Sequence, residues 1–576
     1  MKDQAWLKNY DAEVPHHLTY LQYTVDQMLE HAAHTYPTKA CTIFKDSIIT
    51  YRQMDELSNR LAAVFASLGV IKGGRVGLLM KNIPQFVLAY FSALKAGAVL
   101  VAMNPLYKPP EIIAQVNDAN VKVLVVEEGY FPQVKALQAR TPLKYILRTR
   151  QADLLPLSLE KILAASHPAG LSYAPSTEPG DFWLKDLLLQ YATSHRPALD
   201  LTPEDVALFQ YSGGTTGVSK AAVALHRNLV ANALQFRHWL HPAQDGKETM
   251  LMVIPLYHVY GMVVGMLVAI QLGASLVMIP SPRDMDDILE NIQKYKPTLF
   301  PGVPNLYQAL IQHPDVIAGK VDLTSIKACI SGSAPLLIET KKRFEALTGG
   351  KLVEGYGLSE APTATHCNPI SNKNCPGSIG LPLPDVDCRI VDLDKGLTDM
   401  PTNQPGELII KGPQVMQGYH NMPSETTMTL REGWLYTGDI ARMDEDGYFY
   451  LVDRKKDLIK PGGFQVWPRE VEEVLLQHPK VAEAAVAGIM DRKRGELVAA
   501  WIVLKPGAGF PENASQDERK RFYLTLEEEL RRFCKDFLAS YKSPAIIRFI
   551  NALPRSSVGK VLRRELVRQF NLDHSQ

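Results

Sequence analysis

The sequence reads GRVGLLM from Gly74 to Met80, continues in a helical pattern from Pro84 to Leu94, and then reads GAVLVAMNP from Gly97 to Pro105. Apart from Arg75 near the start of the first run and Asn104 near the end of the second, the two outer runs are short and apolar, which is typical of strands that are buried on both faces. A strand, a helix and a second strand in this order predict a βαβ unit with two parallel strands.

The same rhythm recurs later in the chain. A strand-like run covers Met250–Pro255, a helical pattern reaches Leu272, and a second strand-like run covers Gly273–Pro280. We therefore expect an α/β fold in which two related subdomains contain parallel sheets covered by helices. Because βαβ units are common, a chance likeness between the two copies stays open as the alternative.

The segment Gly261–Ile279 also permits a membrane reading, because it runs for 19 residues without a charge. A transmembrane helix needs about 20 such residues. Gly273 interrupts the helical pattern, however, and four apolar residues with strand character follow it, Leu276 to Ile279. We favour a buried helix, a turn and a buried parallel strand.

Composition excludes several classes of protein. With 576 residues, of which 46% are hydrophobic, the chain is neither disordered nor a collagen nor a coiled coil, and it is too long for one core. The 62 basic and 61 acidic residues give a net charge of +1, so we expect no nucleic acid partner. The six cysteines form no disulfide or zinc pattern and the N-terminus has no apolar signal segment, so we expect a cytoplasmic protein, soluble or peripheral on the inner face of the membrane.

The C-terminal part of the chain differs in composition from the rest, because it contains charged runs and amphipathic patterns. We predict a boundary near Arg454–Lys456 that separates a large N-terminal domain, residues 1–453, from a small α+β domain, residues 454–576. The elements expected around and beyond that boundary are a strand at Tyr448–Val452, a helix from Pro468 to Leu475, strands near Val481–Ile489 and Leu497–Leu504, and a helix over about Gln516–Leu538.

One loop carries the most chemical information. It reads QYSGGTTGVSK from Gln210 to Lys220 and follows the apolar run Val206–Phe209, so we expect it to leave a strand. Glycines allow backbone N–H groups to approach a polyanion, hydroxyls add donors, and a lysine adds a positive charge. These features indicate a phosphate-binding loop, although it lacks the Gly-Lys-Ser/Thr spacing of a Walker A motif. The alternative is a flexible polar turn.

This loop resembles the signature of the ANL superfamily, which comprises acyl-CoA synthetases, adenylation domains of peptide synthetases, and luciferases. Further motifs follow in the order found in that family: PLYHVYG (Pro255–Gly261), SGSAP (Ser331–Pro335), GYGLSE (Gly355–Glu360), GEL (Gly406–Leu408), GWLYTGD (Gly433–Asp439), DRKKD (Asp453–Asp457) and PRSSVGK (Pro554–Lys560). One departure is Ser219-Lys220-Ala221, where the family usually has Pro-Lys-Gly.

The resemblance implies an ATP and AMP site. The residues implied to hold the phosphates are Ser212, Gly213, Gly214, Thr215, Thr216, Gly217 and Lys220. The rest of the implied site consists of Ser333, Ala334, Tyr356, Gly357, Ser359, Glu360, Asp439, Arg454 and Lys560.

Four of these residues have implied roles that can be set against simpler readings. The resemblance implies that Tyr356 stacks on adenine; the alternative is a tyrosine of the core. It implies that Glu360 binds Mg²⁺; the alternative is a carboxylate that caps a helix or lies on the surface. Asp439 would accept hydrogen bonds from the ribose hydroxyls, or is a turn residue. Arg454 would lie near the ribose or phosphates, or belongs to a solvated charge run.

Catalytic and mobile parts are implied as well. His258 would lie beside the carboxylate and acyl pocket, with a satisfied core histidine as its alternative. Lys560 would bridge the substrate carboxylate and the α-phosphate, or is simply exposed. Lys456 would be the hinge of a mobile C-terminal domain, and the coenzyme A side would be the loop containing Lys460, Gly462 and Gly463.

Within the superfamily, the KGPQVMQGY segment from Lys411 to Tyr419, the double glycine Gly213-Gly214 and the opening Trp6–Tyr10 favour a long-chain fatty acyl-CoA synthetase. It would use Mg²⁺, ATP and coenzyme A, and release AMP and pyrophosphate. A homodimer and peripheral membrane contact are further expectations. The alternatives are a medium-chain or aryl carboxylate–CoA ligase and, in a different class, a membrane-associated fatty-acid transporter or a nucleotide sensor.

Overall fold

The computed structural model describes residues 4–165, 180–192, 195–212, 219–371, 373–461, 464–491, 495–509, 515–556 and 561–573. The chain divides into two compact units. The first unit comprises Met1–Cys388 and Ile410–Leu435, and the second comprises Arg389–Ile409 and Tyr436–Gln576.

The α-helices of the described residues are, in chain order, α1 (Val25–Thr35), α2 (Tyr51–Ser67), α3 (Pro84–Lys95), α4 (Pro109–Asp118), α5 (Phe131–Leu137), α6 (Pro156–Ala164), α7 (Leu184–Gln190), α8 (His226–Trp239), α9 (Val268–Leu272), α10 (Met285–Tyr295), α11 (Pro304–Gln312), α12 (Pro314–Ile317), α13 (Ile338–Thr348), α14 (Pro423–Thr429), α15 (Pro468–Gln477), α16 (Gln516–Phe537) and α17 (Arg563–Asp573). A π-helical segment covers Tyr260–Leu267. Short 3-10 turns cover Ala5–Asn9, Glu128–Tyr130, Gln138–Arg140, Gln151–Leu154, Lys455–Asp457 and Ser540–Lys542.

The strands are β1 (Ala40–Phe44), β2 (Ser47–Thr50), β3 (Arg75–Leu79), β4 (Val99–Ala102), β5 (Val123–Glu127), β6 (Tyr145–Thr149), β7 (Gly180–Trp183), β8 (Val206–Ser212), β9 (Lys220–Leu225), β10 (Thr249–Met252), β11 (Ser275–Met278), β12 (Ala328–Ser331), β13 (Lys351–Gly357), β14 (Ala364–Cys367), β15 (Leu381–Pro382), β16 (Asp387–Val391), β17 (Gly406–Lys411), β18 (Gly418–Tyr419), β19 (Leu430–Arg431), β20 (Trp434–Met443), β21 (Phe449–Arg454), β22 (Val481–Asp491), β23 (Gly495–Leu504) and β24 (Ile546–Phe549).

An eight-stranded sheet in the first unit has the order β18-β9-β8-β4-β3-β5-β6-β7. Strands β3 and β4 pair in parallel, with Val76 opposite Leu100, and α3 connects them. The predicted βαβ unit is therefore confirmed. Strands β4 and β5 are buried along their whole length, which explains why β4 is apolar throughout and β5 is apolar up to Glu127. Helix α3 between β3 and β4 is also fully buried.

The second predicted βαβ unit is also confirmed, in a different sheet of the first unit with the order β10-β11-β1-β2. Strands β10 and β11 pair in parallel, with Met250 opposite Leu276. Leu299 forms parallel bridges to Met250 of β10 and to Ala328 of β12, and Gly302 forms another to Ser331 of β12. Strand β12 pairs in parallel with β13. Parallel pairing thus continues from β11 through β10, Leu299 and β12 to β13.

The charge-free segment Gly261–Ile279 folds as a buried helix, a turn and a buried strand, as predicted. Its helical part begins as the π-helical segment Tyr260–Leu267 and ends with α9. Gly273 then takes the left-handed conformation, with φ at 61°, and the chain enters β11. No helix in the described ranges combines the length and apolar character needed to span a bilayer.

The second unit contains β22, β23 and β24, which form a three-stranded sheet, and α15, α16 and α17. Val471, Leu475, Leu526 and Leu530 of the first two helices pack on the sheet in one core. The helix predicted from Pro468, both predicted strands and the long predicted helix are found within a few residues of their expected bounds. The fold class expected from the sequence is confirmed.

Gly273 supplies a stability prediction. A Cβ atom there would overlap the ring of Tyr36 and would sit on a left-handed backbone. We expect Gly273→Ala to lower the free energy of unfolding of the first unit by about 2–4 kcal/mol, as backbone strain and overpacking add. The measurement is urea denaturation of the full chain.

The matched control is Gly69→Ala. Gly69 also has a left-handed backbone, with φ at 82°, but a Cβ there would meet no described atom within 4 Å. Only the backbone cost of about 1–2 kcal/mol applies to it. Equal losses in the two variants would contradict the packing role assigned to Gly273.

Candidate active site

The carboxyl ends of several parallel strands meet at one edge of the first unit. His258 follows β10, Ser333 follows β12, and Tyr356 is the last residue but one of β13. In the β12–β13 register Ser331 lies opposite Glu354, so Ser333, just past β12, and Tyr356, still within β13, lie at the same level along the sheet. Ligand crevices of open α/β sheets lie at this edge. Three residues predicted from separate motifs therefore share one edge.

The loop after β12 has an unusual backbone. Ser333 takes a positive φ of 70°, which turns the chain sharply before Ala334. Close to this turn, the Tyr260 hydroxyl donates to the carbonyl oxygen of Ile330 on β12 at 2.5 Å and lies 3.2 Å from the carbonyl oxygen of Gly302. This buried tyrosine thus links the end of β12 to the neighbouring segment that contains Gly302.

Tyr356 is packed rather than open, with 9% of its surface exposed. Its ring meets the ring of His366 on β14 edge to face, at 5.8 Å between centroids. Burial lowers the pKa of His366 to about 3, so this imidazole is neutral near pH 7. At Gly357 a side chain would overlap the Thr363 carbonyl, so glycine is required there. The burial of Tyr356 agrees with the core reading, and its stacking on adenine stays a prediction.

The phosphate-loop prediction falls mostly outside the described residues. Gly213, Gly214, Thr215, Thr216 and Gly217 are not described, nor is the side chain of Ser212. The strands on either side are described, and the predicted strand before the loop is β8. Strands β8 and β9 pair antiparallel, with Ser212 opposite Lys220. The backbone therefore fixes both ends of the loop.

Lys220 is held by two neighbours in the first unit. Its ammonium forms an ion pair with Glu425 in the first turn of α14. The same ammonium lies 5.3 Å from the centroid of the Tyr419 ring. The lysine side chain is 19% exposed, so it remains reachable from solvent.

Tyr419 also contacts Glu360. Its hydroxyl donates to Glu360 Oε1 at 2.8 Å, and the backbone N–H of Met416 donates to the Glu360 carbonyl at 2.8 Å. Burial and the Glu360 carboxylate raise the pKa of Tyr419, which keeps its hydroxyl protonated as a donor. Glu360 and the half-buried Ser359 stand on the turn after β13, and Tyr419 places Glu360 near Lys220.

His258 is half-buried at the start of the π-helical segment. Its Nδ1 lies 3.3 Å from the backbone N–H of Tyr260, and its own backbone N–H donates to the Pro255 carbonyl at 3.1 Å. These contacts fix the turn that leaves β10. They fit the reading of a satisfied histidine, and its role beside the acyl pocket stays a prediction.

In the second unit, the structure brings Asp439 and Arg454 together. They are opposite one another in the β20–β21 ladder, and Arg454 Nε lies 3.1 Å from Asp439 Oδ1. The Asp439 side chain is 10% exposed and that of Arg454 is 34% exposed. Asp439 is therefore an ion-paired strand residue rather than a turn residue.

The neighbouring residues form a second pair. Lys455 Nζ lies 2.7 Å from Glu407 Oε2, and Glu407 Oε1 accepts a hydrogen bond from the Gly438 N–H at 3.2 Å. Lys456 lies in the middle of the 3-10 turn Lys455–Asp457, and the Lys460 N–H donates to Glu496 at 2.7 Å. Gly462, Gly463 and Lys560 lie outside the described residues.

Sequence reasoning gave no role to three of these side chains. Tyr419 and Glu407 lie within motifs that carried the family resemblance, so the signal that could have singled them out was present. Glu425 lies outside every motif, and only the contact between α14 and β9 identifies it.

Comparison with known proteins agrees with these motifs. The sequence profile of AMP-binding enzymes matches residues 29–420, and that of the AMP-binding enzyme C-terminal domain matches residues 470–560. A long-chain-fatty-acid–CoA ligase of Bacillus subtilis (strain 168) is 39% identical over 572 residues, 99% of both chains. One from Escherichia coli O6:H1 is 35% identical over 581 residues, 98% of each chain. Among solved structures, ATP-bound MatB from Rhodopseudomonas palustris is 26% identical with a TM-score of 0.79, covering 95% of this chain and 99% of that one.

Proposed function

This chain belongs to the AMP-binding enzyme family, and on that premise we propose that it activates a fatty acid with ATP and transfers the acyl group to coenzyme A. The observation that carries the proposal is the cluster in the first unit. There a lysine beside a predicted phosphate loop, Lys220, and a carboxylate suited to a metal, Glu360, flank one tyrosine, Tyr419.

The first half-reaction forms an acyl-adenylate. A carboxylate oxygen of the fatty acid attacks the α-phosphorus of ATP, the bond from that phosphorus to the bridging oxygen breaks, and pyrophosphate leaves. Lys220 would hold the departing phosphates, together with the loop between β8 and β9. Such a step depends mainly on positioning and on neutralising charge.

The second half-reaction forms the thioester. The thiol sulfur of coenzyme A attacks the acyl carbon, the thiol proton is lost, and the bond between that carbon and the AMP oxygen breaks. AMP is a far better leaving group than a carboxylate oxygen, which is why the adenylate is needed.

Mg²⁺ would be held by Glu360 together with the phosphates of ATP. Mg²⁺ usually takes one or two carboxylates, substrate phosphates and waters rather than a cage of protein ligands. This agrees with the described residues, among which no cluster of three or more metal-binding side chains occurs. When bound, the ion would neutralise phosphate charge, while Tyr419 orients the carboxylate that receives it.

The second unit would supply the ribose and carboxylate contacts. Asp439 would accept hydrogen bonds from the ribose hydroxyls, and Arg454 would lie beside the ribose or phosphates. Lys560 would bridge the substrate carboxylate and the α-phosphate. We further propose that residues 454–576 rotate about Lys456 between the half-reactions, bringing the loop containing Lys460 to the coenzyme A side. Contact with a membrane surface and a homodimer stay predictions.

A panel of acids tests the activity. Purified protein is given MgATP, coenzyme A and octanoate, palmitate or benzoate, and pyrophosphate, AMP and thioester are measured. We expect equal amounts of the three products and the highest kcat/KM with palmitate. Faster turnover of benzoate or octanoate would favour the aryl or medium-chain alternative. No pyrophosphate with any acid would overturn the enzyme proposal and favour a transporter or sensor.

Asp439→Ala tests the ribose contact. We expect the KM for ATP to rise at least about tenfold, because each lost charge-assisted hydrogen bond contributes about 1.5–3 kcal/mol. The KM for the fatty acid should stay within about twofold. Steady-state kinetics with each substrate varied in turn measures both.

The control is Asp446→Ala, which removes a carboxylate from the turn between β20 and β21. Its KM for ATP should be that of the wild type. An unchanged KM for ATP in Asp439→Ala would leave Asp439 with only its structural pairing to Arg454.

Lys456→Pro tests the hinge. Proline fixes φ near −65°, which matches the 3-10 turn at this position. We expect one half-reaction to survive and the other to collapse, with adenylation the survivor. Lys456→Ala removes the same charge but leaves the torsion free, so both half-reactions should persist in it. Two near-wild-type half-reactions in Lys456→Pro would show that Lys456 is not the hinge.

A further inference from the structure

The segment Lys411–Tyr419 and helix α14 deliver two side chains to Lys220. Strand β18 pairs antiparallel with β9, and Tyr419 lies opposite Ala222, two residues from Lys220 on the same face. Three residues after β18 the chain turns into α14, whose first turn carries Glu425. Lys220 thereby has an aromatic ring on one side and a carboxylate as its ion-pair partner.

The fold fixes this arrangement by backbone contacts. The Tyr419 N–H donates to Thr426 Oγ1 at 2.8 Å, which ties β18 to α14. The N–H groups of Gln417 and His420 donate to the carbonyls of Val223 and Ala221, both at 2.9 Å, which tie β18 to β9. The backbone contacts among β9, β18 and α14 therefore hold Glu425 beside Lys220.

The charges of the cluster are unbalanced. Lys220 is one cation, whereas Glu425 and Glu360 are two carboxylates linked to it, directly and through Tyr419. The Glu425 side chain is 39% exposed, so its carboxylate can turn into water, which leaves the 19% exposed Lys220 side chain to pair with another anion. An incoming polyphosphate needs the same ammonium and is repelled by the same carboxylate.

We propose that Glu425 is an internal competitor for the phosphates at Lys220. It pairs with the ammonium when no nucleotide is bound, yields to the β- and γ-phosphates when MgATP binds, and returns as pyrophosphate leaves. The proposal rests on the phosphate-binding role of Lys220 given above. Its effect is to weaken the binding of MgATP and pyrophosphate to a similar degree, which speeds release of the product.

If Glu425 instead supported phosphate binding, its removal would change the phosphate affinity in the opposite direction. If the carboxylate served to hold Lys220 in the orientation that phosphate needs, its removal would weaken phosphate binding. If it competes, its removal strengthens phosphate binding. The direction of one measured change therefore separates the two readings.

The test is Glu425→Gln, with binding measured by titration calorimetry. We expect MgATP and magnesium pyrophosphate to bind about threefold to tenfold more tightly than to the wild type, as expected for a partly exposed ion pair. AMP, which lacks the β- and γ-phosphates, should bind with unchanged affinity. In steady-state turnover the KM for ATP should fall, and inhibition by pyrophosphate should strengthen by a similar factor.

Two controls make the result specific. Glu432→Gln removes the same charge from an exposed position in the first unit and should leave all three affinities unchanged. In a Lys220→Met background, adding Glu425→Gln should change the affinity for pyrophosphate less than twofold, because the competitor has lost its target. Glu425→Ala is a second removal of the carboxylate and should repeat the effect if the glutamine variant folds poorly.

Unchanged or weaker binding of pyrophosphate to both Glu425 variants would overturn the competitor role and leave the proposed function standing. A gain of equal size in the Lys220→Met background would also overturn it, since Glu425 would then act on phosphate without the lysine. A wild-type chain that binds neither MgATP nor pyrophosphate would overturn the proposed function itself.

Discussion

Parallel pairing from β11 through β10 and the bridge at Leu299 to β12 and β13 decides where the loops of the first unit lie. Parallel strands send all their carboxyl ends to one edge, so loops that are far apart in sequence must emerge side by side. The turn at His258, the strained backbone at Ser333 and the ring of Tyr356 share that edge for this reason. The narrowest link in this series is the one bridge between Met250 and Leu299. The buried Tyr260 hydroxyl supports the next link, because it contacts the carbonyl oxygens of Gly302 and, on β12, Ile330.

Two lysines of the first unit show how burial separates a structural cation from an exchangeable one. Lys95 on α3 is completely buried, and its ammonium contacts Asp55 Oδ1 at 2.5 Å, Asn59 Oδ1 at 2.8 Å and the Asp55 carbonyl at 3.2 Å. Breaking such a buried, fully bonded pair is costly, because a charge is left without water or partner. Lys220 instead meets a half-exposed carboxylate, and water can replace either member of the pair. Lys95 therefore holds helices α2 and α3 together, whereas Lys220 can exchange its partner.

The features that could be predicted from the sequence are those decided by residues close together in the chain. The βαβ units, the helix that begins at Pro468 and the break at Gly273 were predictable, because local periodicity and glycine conformation decide them. The π-helical start at Tyr260 was not, since its residues have the same apolar pattern as an α-helix. Lys220 and Glu360 could be named from motifs, whereas Glu425 is 205 residues from Lys220 and only the β9–β18 pairing brings them together. The alternative given for Arg454, a solvated charge run, did not include its partner Asp439, because strand pairing rather than sequence spacing brings these two residues together.

In each unit, one described cation that is expected near nucleotide has a carboxylate partner within the same unit. Lys220 pairs with Glu425 in the first unit, and Arg454 pairs with Asp439 in the second. Neither of these two cations is therefore presented to anions in solution without a neighbouring carboxylate. An anion that is to pair with Lys220 must compete with Glu425, because both need the same ammonium. An anion with several charges close together competes better than one with a single charge, so the pair at Lys220 would favour a polyphosphate over a monoanion.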